Sequence, residues 1–282
     1  MPTQTLFQLP KNLSAPKRIR LYETPPPIRS TDAINALAKK FGVAGQSKDC
    51  GTRYVISNDR GEVEIFAASE SLRWSLAEPD APPQVPRATL PDADRLEEIA
   101  TAYIREHGQP DGKAEMHGIT YVELSIDDRG KRSTGRTHAQ VNYRFTLDTL
   151  RVFGPGAKMQ VTINTEGAVT RFLSFWRPVR AGGVRAVIDP KVALRTFTES
   201  ELFADLRARA AKVAILEIGL GYYALPPREL QRVLIPVYRI VGIVSTRTLP
   251  EYRFTRYQVA VAYSADEVKA LGVVHGDPRP LI

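Results

Sequence analysis

Apolar residues at helical spacing recur three times along the chain, and each time they give way to runs that alternate apolar and polar positions. Ile34, Leu37, Ala38 and Phe41 form the first stripe, behind Ser30-Thr31-Asp32 with its capping hydroxyls and carboxylate, and ahead of Gly42. Leu96, Ile99, Ala100 and Tyr103 form the second, within residues 95–107, closed by Gly108 and Pro110. Val192, Ala193, Phe197, Leu202, Phe203, Leu206 and Ala210 form a longer third within residues 189–212. The spacing predicts a helix at each stripe.

The alternating runs predict strands. Residues 53–57 and 63–67 flank Asn58-Asp59-Arg60-Gly61, a hairpin signal, and residues 71–76 alternate as a third strand. After the second stripe, residues 121–126 and 139–147 alternate on either side of a charged loop, 127–135. Residues 158–163 and 169–176 then surround Asn164-Thr165-Glu166-Gly167. After the third stripe come 213–223, 233–244 and 253–263. Prolines separate the groups. The organisation expected is an extended arm (1–29), a helix-plus-sheet unit (30–78), a Pro-rich linker (79–91), two further units (92–180 and 181–264) and a tail (265–282). The fold class is α+β, with tandem units that each pack a helix on a curled antiparallel sheet.

Two phrases carry a family resemblance. Val152-Phe153-Gly154-Pro155-Gly156-Ala157-Lys158-Met159-Gln160-Val161, followed by Glu166-Gly167-Ala168-Val169, resembles the PepSY/propeptide type of module. Leu220-Gly221-Tyr222-Tyr223-Ala224 and then Leu234-Ile235-Pro236-Val237-Tyr238 are similar to a second phrase of such proteins, on adjacent strands. The resemblance covers roughly residues 90–263, with 31–76 as a degenerate copy. It implies cystatin-like units, and it implies inhibitory propeptides or extracytoplasmic regulators of proteases or kinases as the functional class.

A chain of 282 residues is expected to hold two or three units. Its 43% hydrophobic and 25% charged residues are those of an ordinary globular protein, and no apolar run approaches the roughly 20 residues of a membrane span. The first 20 residues are mixed and interrupted by Pro2, Pro10 and Pro16, which reads as cytoplasmic as the sequence stands, or extracytoplasmic if a leader has been removed. The net charge of +8 would draw acidic partners. The basic residues are dispersed, however, and no nucleic-acid-reading motif accompanies them, so a nucleic-acid partner is not expected. Arginine outnumbers lysine, as it does in proteins of GC-rich bacterial genomes.

Candidate chemistry is sparse. The single Cys50 excludes an intrachain disulfide and a Cys-based metal cluster. His107, His117, His138 and His275 are scattered, and none stands at ligand spacing from another. His107 sits at a helix C-terminus, where a cation is favoured by the dipole. His117 with Glu115 is a possible acid–base pair or a polar lead-in to a strand. Asp127 and Asp128 read as a turn, because adjacent strand residues point to opposite faces. Gly154-Pro155-Gly156 and Gly182-Gly183 lack the context of a phosphate loop. No catalytic residue, metal or cofactor is assigned. The remaining candidates are aromatic and basic: Trp74, Trp176, Arg177, Tyr222, Tyr223 and Tyr238, with Arg73 and Arg239 beside them. They either line a ligand pocket or fill sheet cores with the arginines in solvent. The functional expectation is a non-catalytic binding or regulatory protein that holds a peptide or protein on a sheet face or strand edge. The alternative is a small acid–base isomerase or cyclase of bacterial specialised metabolism, orienting a hydrophobic small molecule among those aromatics.

Overall fold

The computed structural model describes residues 7–8, 13–27, 30–77, 85, 88–108, 113–200, 203–204, 212–245, 251–264 and 267. Among them are fifteen strands and three helices. The chain divides into two compact units, one built from residues 1–23, 180–223 and 232–282, the other from 24–179 and 224–231. In chain order, β1 (Phe7–Gln8) and β2 (Arg18–Glu23) come first and belong to the first unit.

The larger unit then contributes α1 (Thr31–Lys39), β3 (Lys48–Asp49), β4 (Arg53–Asn58), β5 (Gly61–Phe66), β6 (Leu72–Leu76) and α2 (Ala93–His107). After α2 follow β7 (Lys113–Asp128), β8 (Lys131–Leu147), β9 (Leu150–Phe153), β10 (Lys158–Asn164) and β11 (Val169–Phe175). The helices begin where side-chain oxygens meet orphan amides. Ser30 Oγ accepts from the Ala33 amide at 3.2 Å, and Asp92 Oδ1 from the Arg95 amide at 2.9 Å. The strands form one antiparallel sheet in the order β7–β8–β10–β11–β6–β5–β4–β3, with β9 on the end of β8.

Its register explains the core. Ile56, Val63, Trp74, Phe172, Val161, Val141 and Ile119 are direct cross-strand neighbours in a single row. All but Ile119 are buried. Leu96, Ala100 and Ile104 of α2 are buried on α2's packing side, against β8, β10 and β11. Each such side chain removed from water contributes about 1.5–3 kcal/mol. One residue along, the opposite face carries Val55, Glu64, Arg73, Leu173, Gln160, Asn142 and Gly118. Period-2 alternation therefore separates an apolar face from a mostly polar one across seven strands.

The chain returns to the other unit with β12 (Arg180–Ala186), α3 (Pro190–Thr198), β13 (Lys212–Tyr223), β14 (Val233–Ser245) and β15 (Tyr252–Val259). The long β14 pairs with β13, with β15 and, through Val233 and Leu234, with β2, while β2 also pairs with β12. Leu194 and Phe197 of α3, with Phe203, pack on Val213, Ile215, Ile240, Val244 and Phe254. Gly242 is required by this packing, because a Cβ there would stand 2.5 Å from the Phe254 ring.

This arrangement overturns the expected tandem of cystatin-like, helix-on-sheet units. Leu72–Ser75 of β6 pair directly with Arg171–Ser174 of β11, so the strands after α1 and those after α2 complete one sheet instead of two. Strand outweighs helix throughout. Residues 18–23, expected in an arm, form a strand between β12 and β14. Hairpin turns report which neighbours in sequence pair; they carry no information on which outer strands then join. The expected loop at 127–135 is also absent. β7 and β8 run on to a two-residue turn in which Arg129 and Gly130 both have positive φ (51° and 84°), the geometry of a type I′ hairpin. The third helix ends at Thr198. Leu202, Leu206 and Ala210 of its expected extension lie outside the described residues, as do most of the Pro-rich linker, the start of the arm, and His275 with the end of the tail. Among the described residues no helix is long and apolar enough to cross a membrane.

Candidate functional site

The structure places Trp74, Trp176 and Arg177 in the larger unit and Tyr222, Tyr223 and Tyr238 in the other, every one of them buried. Trp74 lies on the apolar row of β6, stacked with Phe41 at 6.2 Å and Tyr103 at 5.9 Å. Trp176 follows β11 and stacks on Phe145, their rings 4.3 Å apart. Arg177, expected in solvent if the aromatics were core, is buried too. Its guanidinium donates to the carbonyls of Leu225 (2.8 Å), Pro226 (3.2 Å) and Glu229 (3.2 Å). Burial pulls its pKa down to about 10, against the opposing pull of the Glu229 carboxylate. Ser69 Oγ donates to the Pro227 carbonyl of the same loop at 2.9 Å, and the Thr24 hydroxyl to the Gln231 carbonyl. Arg177 is thus the pin of the 224–231 loop.

The tyrosines behave likewise. Tyr222 donates to the Arg20 carbonyl at 2.8 Å and meets Tyr22 edge-on, Tyr238 donates to the Ile188 carbonyl at 2.7 Å, and Tyr223 packs on Tyr257. Arg73 reaches the buried Glu64 carboxylate at 2.7 Å, with Arg53 on its other oxygen at 3.2 Å, and Arg239 binds Glu217 at 3.1 Å. Apart from Nε1 of Trp74, Nε1 of Trp176 and Nε of Arg177, which are buried with no hydrogen-bond partner among the described residues, these side chains are occupied with one another and with backbone carbonyls.

Among the described residues, His107, His117 and His138 each have their own surroundings. His107 Nδ1 donates to the Tyr103 carbonyl at 3.0 Å, and the imidazole stacks on the Tyr103 ring. Glu115 is engaged by Lys113 at 2.9 Å. His117 is held below its ordinary pKa by desolvation and by the positive charges of Arg144 and Arg151. His138 Nδ1 lies 3.1 Å from the Thr137 hydroxyl. Cys50 is exposed. Among the described residues no group of three His, Cys, Asp or Glu is placed to hold a metal ion.

The feature that sequence reasoning missed is the free edge of β7. This strand is 16 residues long and pairs only with β8 among the described residues. Its ladder is interrupted twice, at His117, which bulges between Met116 and Gly118, and between Val122 and Glu123, where the register skips Thr137 of β8. Between the bulges lies Gly118-Ile119-Thr120-Tyr121-Val122, rich in β-branched and aromatic residues. Met116, Tyr121 and Val122 are 39%, 40% and 39% exposed. The edge is rigidly backed. Asn142 Nδ2 donates to Thr120 Oγ1 at 3.1 Å, and Gln160 Nε2 donates to Asn142 Oδ1 at 2.8 Å, so a polar ladder crosses β7, β8 and β10 on one face. On the other face the Arg136 guanidinium lies 4.2 Å over the Tyr121 ring and 3.4 Å from Glu123. The Ile-Thr-Tyr-Val run was visible as a strand; nothing local marked it as the last one.

No family model matches the sequence, and no curated protein does. The fold is similar to the crystal structure of an uncharacterized protein from Eubacterium rectale, with a TM-score of 0.52 and 10% identity over 92% of this chain and 87% of that one. That likeness concerns the fold alone.

Proposed function

We propose that this chain is a non-catalytic binding protein that holds an extended segment of a protein partner along the free edge of β7 by strand addition. The observation that carries the reading is the edge itself: a 16-residue strand with one described neighbour, backed by a hydrogen-bonded ladder and exposing Met116, Tyr121 and Val122. An unpaired edge offers a row of amides and carbonyls that a second chain satisfies, and natural sheets usually cover or charge such an edge. The charges on β7, Lys113, Glu115, Glu123, Asp127 and Asp128, all lie outside the 118–122 stretch. The resemblance of residues 152–161 and 220–238 to PepSY-type modules supports a regulatory role, in which the held segment belongs to a protease or kinase.

Selection of extended peptides from a displayed library, followed by amide hydrogen exchange, tests this. Selected peptides are expected to slow exchange at 118–122. Consecutive strand amides point to opposite edges, so of Thr120→Pro and Tyr121→Pro one removes an outward donor and spares the β8 ladder. That variant is expected to keep its melting temperature and lose peptide binding. Selected peptides that protect other amides, or binding that survives both proline variants, refute the reading.

A further inference from the structure

Between its two bulges, β7 is the end of a chain of side-chain hydrogen bonds that runs across the sheet. Gly118, Asn142 and Gln160 are direct cross-strand neighbours, as are Thr120, Gln140 and Thr162, and the two rows share one face. Gln160 Nε2 donates to Asn142 Oδ1 at 2.8 Å, Asn142 Nδ2 to Thr120 Oγ1 at 3.1 Å, and the Thr120 hydroxyl to Gln140 Oε1 at 3.2 Å. The direction is fixed, because Asn142 Nδ2 also donates to the Gln140 carbonyl at 2.9 Å, and a carbonyl only accepts. Thr120 is exposed. Its hydrogen and one of its two lone pairs are used within the sheet, and the second lone pair is left at the edge. Beside it Gly118 has no side chain, and a Cβ there would meet nothing within 4 Å.

The charges around this stretch argue against a charged occupant. On the opposite face Arg136 lies over Tyr121 and pairs with Glu123. On the Thr120 face Arg144 stands across from Glu115, which Lys113 also engages at 2.9 Å, and the positive charges of Arg144 and Arg151 both reach His117. Lysine or arginine in an added strand meets like charge at that end. Aspartate and glutamate bring only acceptor oxygens to the acceptor oxygen of Thr120. A primary amide donates without charge. A strand added to β7 lies about 4.8 Å from it, and every second side chain falls on the Thr120 face. Resting on the strand addition proposed above, we infer that the segment accepted by β7 is uncharged and amide-bearing: glutamines or asparagines, one of them crossing Gly118 to donate to Thr120 Oγ1, alternate with apolar residues set beside Ile119 and Tyr121.

Three acetylated octapeptides test the inference on the full chain: one alternating glutamine and valine, one glutamate and valine, one lysine and valine. Binding is read by fluorescence anisotropy and its place by hydrogen exchange at 118–122. The glutamine peptide is expected to bind about tenfold more tightly than either charged peptide, the discrimination of one well-placed hydrogen bond. The preference is expected to persist in 1 M salt, where the Debye length is about 3 Å. It is expected to vanish in Thr120→Val, which removes the acceptor and keeps the β-branched shape, and to survive in Thr120→Ser. A charged peptide that binds as well as the glutamine peptide while protecting 118–122, or a preference unchanged in Thr120→Val, overturns the amide assignment and leaves strand addition standing. Protection of 118–122 by none of the three overturns strand addition itself. Concentration-dependent protection of those amides in the free protein makes a second copy the occupant and overturns the inference.

Discussion

Arg177 shows how far burial changes the meaning of a charged residue. Its position after Trp176 suggests a solvated partner to a buried ring, yet three backbone carbonyls take the place of water around the guanidinium. Replacing it by methionine keeps the stem and removes the donors, and charged hydrogen bonds of this kind are worth about 1.5–3 kcal/mol. The variant is expected to lose about that much in urea denaturation and to become cleavable within 224–231 under limited proteolysis. Trp176→Ala, which empties the space against Phe145, is expected to cost about 3–5 kcal/mol. Tyr238 gives a pH signature. Burial first, and the Asp189 carboxylate second, push its phenol up to about 12. The unfolded chain gives up that proton near pH 10. The folded state thus binds the proton more tightly. The stabilisation is complete below pH 10, shrinks as pH rises, and is gone above about pH 12. Tyr238→Phe, lacking the bond to the Ile188 carbonyl, is expected to melt lower at neutral pH but to lose stability less steeply between pH 10 and 12. Parallel melting curves for the two proteins across that range would contradict this assignment.

At the level of elements, the β7–β8 hairpin is where sequence patterning and structure part most clearly. Its outer half, from Glu123 to Arg136, has no third strand and no helix over it among the described residues, so neither face selects apolar residues and the period-2 signal fades into what reads as a polar loop. What pairs those strands is the Arg129-Gly130 turn with its two positive φ angles, supported by the Gly130 amide donating to Asp127 at 3.0 Å. A β-branched residue cannot adopt the Gly130 conformation without strain. Gly130→Val is expected to speed amide exchange through 123–136 while leaving exchange in β10 and β11 unchanged. The Asn164–Gly167 turn behaves as its sequence implies: Gly167 has φ 76°, and Asn164 Oδ1 accepts from the amides of Glu166 and Ala168 at 3.0 and 2.9 Å. Its flanking strands are buried on one face, and both turn and strands are legible.

Across the whole molecule, the N-terminal residues matter more than their position suggests. β2 pairs with β12 along its length and with β14 at Val233 and Leu234, and the Arg20 carbonyl receives the Tyr222 hydroxyl. Deleting residues 1–23 is expected to abolish amide protection in β12 and the start of β14, while β8 and β10, which make their contacts within residues 24–179, remain protected. Loss of protection in both units together would show that they fold as one.

The sequence by itself determined the local events: where α1 and α2 begin and stop, which turns reverse the chain, and which face of β8 or β10 is apolar. These follow from caps, positive-φ glycines and alternation, forces that act within a few residues of one another. Only the tertiary structure decided that β6 joins β11, that β2 enters between β12 and β14, and that the aromatic set fills cores. Strand-to-strand pairing uses backbone groups that every residue carries, so the order of strands is written in no single segment. It is settled by which edges meet once the apolar faces are buried, and the edge of β7 is exposed for that reason.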